Sequence, residues 1–299
     1  MSSQLVVLIN AGAGPDDKEQ LAHQLREIFR SRGVEARIAL ARTGEELVEM
    51  ARDAVREQPR AIVAGGGDGT LGAVASALVG TDVALGVLPL GTLNHFAKDL
   101  HIPLEIEEAA TNVIGGETIR VDVGEVNGRI FLNNSSLGLY PRVVRSREDQ
   151  RERLGRGKWP AFVWAAFTVL RRHAFLLVRL TANAQEIVRR TSFVFVGNNE
   201  YEMAGMNIGR RERLDGGKLS LYLPHHSGRV AMLVLAIRGL LGLLRKTRHL
   251  DVLFSEAILV EPRQTRLHVA NDGEVIVMEP PLHYKLRPGA LRVIVPHSP

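Results

Sequence analysis

The chain has 299 residues, a formal net charge of +5 and no cysteine. Its length supplies one large domain or two ordinary ones, each with a buried core. The missing thiols exclude disulfides, thiolate metal sites and cysteine nucleophiles. With 45% apolar and 24% charged residues, the chain reads as globular, and disorder on the scale of a domain is excluded.

The opening MSSQLVVLIN has neither the basic start nor the long apolar run of a signal peptide. No apolar stretch reaches the roughly 18 residues that a bilayer span needs. Residues 230–244 come nearest and are interrupted by Arg238. A cytoplasmic protein without a stable membrane span is therefore expected. The positive balance suits anionic partners, nucleotides and acidic membrane surfaces among them, and equally suits plain solubility. Nucleic acid is not expected, because aromatics are only 5% of the chain and no basic-aromatic motif occurs.

The first 125 residues predict strand and helix in alternation. LVVLIN (Leu5–Asn10) ends at the turn AGAG, and residues 16–31 place Leu21, Leu25, Ile28 and Phe29 on one helix face before Gly33 stops the run. Strands are expected at residues 36–40, 61–64 and 83–88, and helices at 45–57 and 70–79. This order implies a mainly parallel sheet covered on both faces. Beyond a boundary at residues 122–128 the pattern changes to short β-rich runs: FLLVRL, TSFVFVGN, LSLYL, RLHVA, VIVM, LHYKL and LRVIV. Those runs predict a β-sandwich, interrupted by helices near 159–172 and 229–246.

Strand, then GGGDGT (residues 65–70), then helix is an arrangement that cradles phosphate. Glycines permit close backbone approach, and free amides at a helix start favour anions. A tight turn without ligand is the plain alternative. A P-loop is excluded because no lysine follows the glycines. Gly67-Asp68-Gly69-Thr70-Leu71-Gly72 nominally fits G-x-G-x-x-G, but the region about 20 residues on, Val87-Leu88-Pro89-Leu90-Gly91, lacks the acid that a dinucleotide fold requires.

GGGDGTL together with LPLGTLNHFAKDL (residues 88–100) resembles the diacylglycerol kinase catalytic domain family, which includes soluble bacterial lipid kinases and the sphingosine and ceramide kinases. GGDGT alone is shared with NAD kinases; the second segment is a lipid-kinase feature. The resemblance runs from Asn10 to Asn271-Asp272-Gly273-Glu274. It implies a two-domain architecture like that of NAD kinase and diacylglycerol kinase: a Rossmann-like α/β nucleotide domain (1–125) followed by a β-rich β-sandwich domain (126–287). The last strand, about 288–299, is expected to return to the first domain, with the active site in the cleft between them.

Further implications of the resemblance are residue by residue. Asn10, Gly12 and Gly14 lie near the nucleotide phosphates, unless they are an ordinary strand-end turn. Thr43 matches a threonine near the adenosine, or caps the helix that begins with Glu45 and Glu46. Gly65, Gly66, Gly67, Gly69 and Thr70 hold phosphate, while Asp68 contacts Mg²⁺ or water on ATP or orders the loop. Thr92 is a nucleotide contact and Asn94 orders the same cleft. Glu274 is the proton acceptor and Asp272 its close partner, although Asp-Gly between two β runs is also a hairpin turn. Asp215, in RLDGGKL, falls in the family's second metal segment, where Gly216 replaces a second aspartate. Leu93 and His95 stand where many members have glycine and aspartate.

ATP and Mg²⁺ are thus the implied cofactors. A lipid hydroxyl at the membrane surface, first of all that of diacylglycerol, is the implied acceptor, with peripheral attachment through the helices 159–172 and 230–246 or, alternatively, those helices packed on the core. A sphingoid or other lipid alcohol, NAD, and an inactive nucleotide- or lipid-binding regulator remain the alternatives. A homodimer stays open.

Overall fold

β-branched runs too apolar to face water on either side begin the chain, and the computed structural model shows where they go. It describes residues 5–12, 18–138, 175–202, 209–225, 228 and 250–297. In chain order the first elements are β1 (Leu5–Asn10), α1 (Lys18–Ser31), β2 (Ala36–Ala41), α2 (Gly44–Arg56), β3 (Ala61–Gly66), α3 (Asp68–Leu78), β4 (Ala84–Pro89), α4 (His95–Asp99), α5 (Ile106–Gly115) and β5 (Glu117–Val126). There follow β6 (Arg129–Phe131), β7 (Asn134–Gly138), β8 (Leu176–Ala182), β9 (Gln185–Thr191), β10 (Phe193–Asn198), β11 (Leu219–Pro224), β12 (Leu250–Ser255), β13 (Ala257–Pro262), β14 (Leu267–Asn271), β15 (Glu274–Met278) and β16 (Leu282–Val295).

The chain forms two units, one of Met1–Val123 with Arg287–Pro299 and the other of Gly124–Leu286. In the first unit the strands run β2-β1-β3-β4 and then the end of β16, with every pairing parallel. Leu5, Val7 and Ile9 of β1 pack with Leu25 and Phe29 of α1, Val113 of α5 and Ile294 of β16. The alternate residues Val6 and Leu8 are equally buried, so both sheet faces are covered, as a parallel sheet requires. The order reverses between β1 and β3: the chain moves outward to β2 on one side and to β4 on the other. Open α/β sheets bind ligands outside the carboxyl ends of strands at such a switch point. Here those ends are Asn10 and Gly66.

The second unit is a β-sandwich. One sheet is antiparallel in the order β12-β11-β10-β7-β14-β15. The other places β13 between β8 and the first residues of β16, with β9 beyond β8. Between them lie Phe131, Leu137, Val178, Leu180, Val196, Leu221, Val260, Val269 and Tyr284, all buried.

Several elements differ from the sequence reading. The runs LHYKL and LRVIV are one strand, β16, that continues through Pro288-Gly289. The Gly289 backbone (φ 54°) is held on both sides: its amide donates to Asp122 Oδ1 at 2.8 Å and its carbonyl accepts from Arg120 Nη1 at 3.2 Å. β7, with the sequence NSSLG, has no apolar alternation at all, yet Ser135 and Ser136 are fully buried at the centre of a sheet. Ser135 shares a hydrogen bond with the Tyr284 hydroxyl at 3.2 Å. Burial pushes the Tyr284 phenol well above its ordinary value. His225, exposed at the end of β11, pairs with Asp251 at 2.9 Å, and Asp251 also accepts from Arg189. The expected helices near 159–172 and 229–246 lie outside the described residues. Among the described residues no helix is long and apolar enough to cross a membrane.

The β8–β9 hairpin closes through Asn183 (φ 49°) and Ala184 (φ 61°). A two-residue turn with both φ values positive suits Asn-Gly, whereas alanine carries a Cβ penalty there. Ala184→Gly is expected to raise stability by roughly 0.5–1 kcal/mol, after the larger unfolded-state entropy of glycine is deducted. An unchanged or lower urea midpoint would refute this strain.

Candidate active site

The glycine loop follows directly from β3. Gly65 and Gly66 end the strand, Gly67 caps α3, and Asp68, Gly69 and Thr70 form its first turn. The helix therefore starts two residues earlier than the sequence suggests. Gly67 makes no side-chain cap bond, which leaves the anion-favouring end of α3 without a side-chain oxygen over it.

The glycines also serve internal packing. A Cβ on Gly66 would stand 2.4 Å from Thr70 Cβ, and one on Gly91 would stand 2.5 Å from Gly67 Cα. The two motif segments touch backbone to backbone, and any side chain at Gly91 would part them.

Asp68 fastens the same pair of segments. Its Oδ2 accepts the His95 amide at 3.1 Å and its Oδ1 the Phe96 amide at 3.0 Å. Both donors belong to the first turn of α4, whose own N-cap residue, Asn94, makes no side-chain cap bond. Asn94 sits in the left-handed region (φ 50°) and turns its amide back on the loop. It accepts from Gly91 N at 3.0 Å and donates to Gly91 O at 2.8 Å and Pro89 O at 3.3 Å. Thr92 is exposed between them, as are Leu93 and His95.

Across the switch point, Asn10 Nδ2 donates to Thr70 Oγ1 at 3.2 Å, and Asn10 Oδ1 accepts the Gly12 amide at 2.9 Å. The first glycine turn, the α3 start and the β4–α4 loop are thus tied by side-chain bonds within one unit. Gly14 lies outside the described residues. Thr43 stands apart from this set. It is the N-cap of α2, its hydroxyl accepts the Glu46 amide at 3.1 Å, and Glu46 in turn accepts Arg42 N at 2.7 Å. That is the helix-cap alternative for Thr43.

In the second unit, Asp272-Gly273 is the two-residue turn of the β14–β15 hairpin, closed by the pair Asn271 and Glu274, with φ of 47° and 89°. Both the hairpin and the carboxylates coexist. Glu274 is exposed at the start of β15. Asp272 does something else: Oδ2 accepts Leu132 N at 2.6 Å, and Oδ1 accepts Asn133 N at 2.8 Å and Asn134 N at 3.1 Å. Its own amide donates to Asn134 O at 2.9 Å. Burial pushes the Asp272 carboxyl up to about 6, against the three amides and the Arg211 charge, which pull it down. This carboxylate anchors the hairpin to the turn before β7 rather than facing out beside Glu274.

Asp215, expected to hold metal, forms an ion pair instead. Arg213 Nε and Nη2 bond its two oxygens at 2.9 and 3.2 Å, and the Arg213 guanidinium holds its carboxyl below the ordinary value. At Gly216 a Cβ would meet Asn199 Oδ1 at 2.7 Å, so a carboxylate there would be crowded. Among the described residues no group of three or more histidine or acidic side chains is placed to hold a metal ion.

Sequence reasoning missed Arg211, Asn133 and Asn198. Arg211 lies within the run RRER, which reads as solvated charge, yet it is 3% exposed.

Comparison with known proteins follows the same division. Residues 4–126 match the family described as Diacylglycerol kinase catalytic domain, and residues 136–295 match the YegS C-terminal NAD kinase beta sandwich-like domain. A Pseudomonas syringae pv. syringae protein named "Probable lipid kinase YegS-like" is 31% identical, over 93% of this chain and 91% of its own length. A Staphylococcus aureus "Diacylglycerol kinase" is 27% identical, over 83% and 82%. Crystal structures from Bacillus anthracis str. Sterne share the fold: one titled as a diacylglycerol kinase has a TM-score of 0.70 at 18% identity, and another reaches 0.79 at 21%, each covering 98% of this chain and 97% of its own. The chain belongs to the diacylglycerol kinase catalytic domain family, a family of lipid kinases.

Proposed function

We propose that the protein transfers the γ-phosphoryl group of ATP to the hydroxyl of a lipid alcohol, with diacylglycerol as the preferred acceptor. The observation that carries this reading is the joining of GGGDGT to LPLGTLNHFA by Asp68 at the switch point of the parallel sheet. The phosphate-binding motif and the lipid-kinase motif are one physical object. Diacylglycerol is favoured by the family and by the name of the S. aureus relative.

In this reading the open start of α3, the Thr70 hydroxyl and the Asn10 amide group bind and orient the nucleotide phosphates. Thr92, exposed on the adjoining loop, contacts the same nucleotide. Asp68 orders the loop by capping α4. Magnesium, when bound with the nucleotide, supplies charge neutralisation on the phosphates, and Asp68 is the loop carboxylate available to it. Glu274 accepts the proton of the lipid hydroxyl. The hydroxyl oxygen forms the new bond to the γ-phosphorus, the bond from that phosphorus to the bridging oxygen breaks, and ADP leaves. Asp272 holds the hairpin that presents Glu274. With no helix in the described residues able to cross a bilayer, the lipid is reached at the membrane surface.

The test is transfer of label from γ-labelled ATP in the presence of Mg²⁺ to diacylglycerol, a sphingoid base, ceramide, phosphatidylglycerol and NAD. Label on diacylglycerol is expected; label on NAD alone, or on none of them, overturns the proposal. Glu274→Gln is expected to lower kcat by about 10²–10⁴-fold with little change in the KM for ATP. Retention of full kcat would remove Glu274 from the proton transfer.

Asp68→Ala is expected to lower stability by about 1–2 kcal/mol through loss of the α4 cap and to raise the KM for ATP. A variant of unaltered thermal midpoint would show that the cap does not hold the loop.

Asp272→Ala leaves three amides without their acceptor and puts a Cβ-bearing residue without a polar side chain in the left-handed region, an expected loss of about 3 kcal/mol. Because the folded carboxyl lies at about 6, above its ordinary 3.8, the folded state binds this proton more tightly than the unfolded one. The proton-linked part of the Asp272 contribution to stability is therefore greatest below about pH 4 and is lost as pH rises through 6, while its amide bonds persist. Urea titrations of the wild type and Asp272→Asn at several pH values check this: their difference should change over that interval and be flat above it.

A further inference from the structure

The Leu132–Asn134 turn is gripped from two sides. Its amides hold the Asp272 carboxylate at 2.6, 2.8 and 3.1 Å. On its other side stands Arg211: Nη1 donates to Leu132 O at 2.6 Å and, at the end of β10, to Asn198 O at 3.1 Å, and Nη2 donates to Asn133 Oδ1 at 2.6 Å. Asn198 Nδ2 shares the Leu132 carbonyl at 3.0 Å, and Asn198 N donates to Asn133 O at 2.9 Å. The guanidinium lies 5.4 Å from the Tyr201 ring centroid, in a strand bridge that joins Tyr201 to Arg211.

Burying a guanidinium is costly unless its donors are met, and arginine's planar fork suits fixed acceptors in a way the single ammonium of lysine does not. A residue kept at 3% exposure within the otherwise solvated run RRER is held there for a task. Its three acceptors lie on the turn that carries Asp272 and on the neighbouring end of β10. Arg211 also acts on Asp272 through its charge. Arg211 reaches Asp272 through the 132–134 turn, with hydrogen bonds of 3.1 Å or less on both sides of that turn, and Glu274 follows Asp272 two residues along the chain.

From this geometry we infer that Arg211 is a positioning residue: it braces the Leu132–Asn134 turn so that Asp272 fixes the hairpin tip and Glu274 is presented in one orientation. This rests on the proposed role of Glu274 in lipid phosphorylation.

The full chain is assayed as wild type, Arg211→Lys and Arg211→Met, and each variant's thermal unfolding and the hydrogen exchange of the hairpin 267–278 are followed. In folded Arg211→Met, kcat for diacylglycerol should fall 10- to 100-fold while the KM for ATP stays within twofold, and hairpin amides should exchange at least tenfold faster with the first unit unchanged. Arg211→Lys should restore part of kcat and part of the protection together. Wild-type kcat in folded Arg211→Met, or hairpin exchange as slow as in the wild type, overturns the inference. If the wild type phosphorylates none of the acceptors, the proposed function fails, and the exchange measurement alone then decides whether Arg211 braces the hairpin.

Discussion

Carboxylates that accept backbone amides are the constraint on which both units depend. Asp68 accepts two amides at the start of α4, and Asp272 accepts three before β7. A charge-assisted bond to an amide is stronger than a neutral one, and each of these carboxylates meets several amides at once. In the first unit this fixes the β4–α4 loop against the start of α3. In the second it fixes the tip of a hairpin. The local elements these bonds join are short: α4 has five residues and β6 has three. Neither length is stable on intrinsic propensity alone; the Asp68 bonds help place α4, and β6 is placed by its pairing with β5 just ahead of the amides that Asp272 accepts.

Much of the fold is legible in the sequence because its signals are apolar and periodic. LVVLIN, the Leu21–Phe29 face and the alternating runs after residue 175 report burial directly. What was not legible has a physical reason in each case. β7 is polar, and its place at the centre of its sheet comes from its ladders to β10 and β14, with the buried hydroxyl of Ser135 meeting Tyr284, a partner 149 residues away. β16 runs through Pro-Gly because Asp122 and Arg120, far off in sequence, supply the bonds that hold Gly289. Long-range satisfaction of polar groups leaves no local pattern.

The sequence names candidate site residues more readily than it names their tasks. Motifs fix which residue types recur at which spacing, and an aspartate in a glycine loop or beside a glutamate invites a reading as metal ligand or base. Thr43 shows the same ambiguity in miniature: its hydroxyl caps α2, as any threonine before Glu-Glu would. Asp215 was placed by resemblance to the family's second metal segment, while its neighbour two positions back, Arg213, bonds both of its oxygens. Deciding between chemistry and scaffolding requires the partner of each oxygen, and those partners are non-local except at Thr43 and Asp215.

Scaffolding and chemistry are not rivals in such a site. Phosphoryl transfer asks little covalent chemistry of the protein and much positioning, and a carboxylate that freezes a loop contributes to it as surely as one that takes a proton. The exposed groups, Thr92 and Glu274, sit on backbone held by Asn94, which is buried, and by Asp272, which is partly buried. Leu93 and His95 flank Asn94 on that held backbone, with Leu93 50% exposed. A substitution there changes the exposed surface without removing the bond to Asp68, which the amide of His95, not its side chain, makes. The frame and the surface it presents are thus separable.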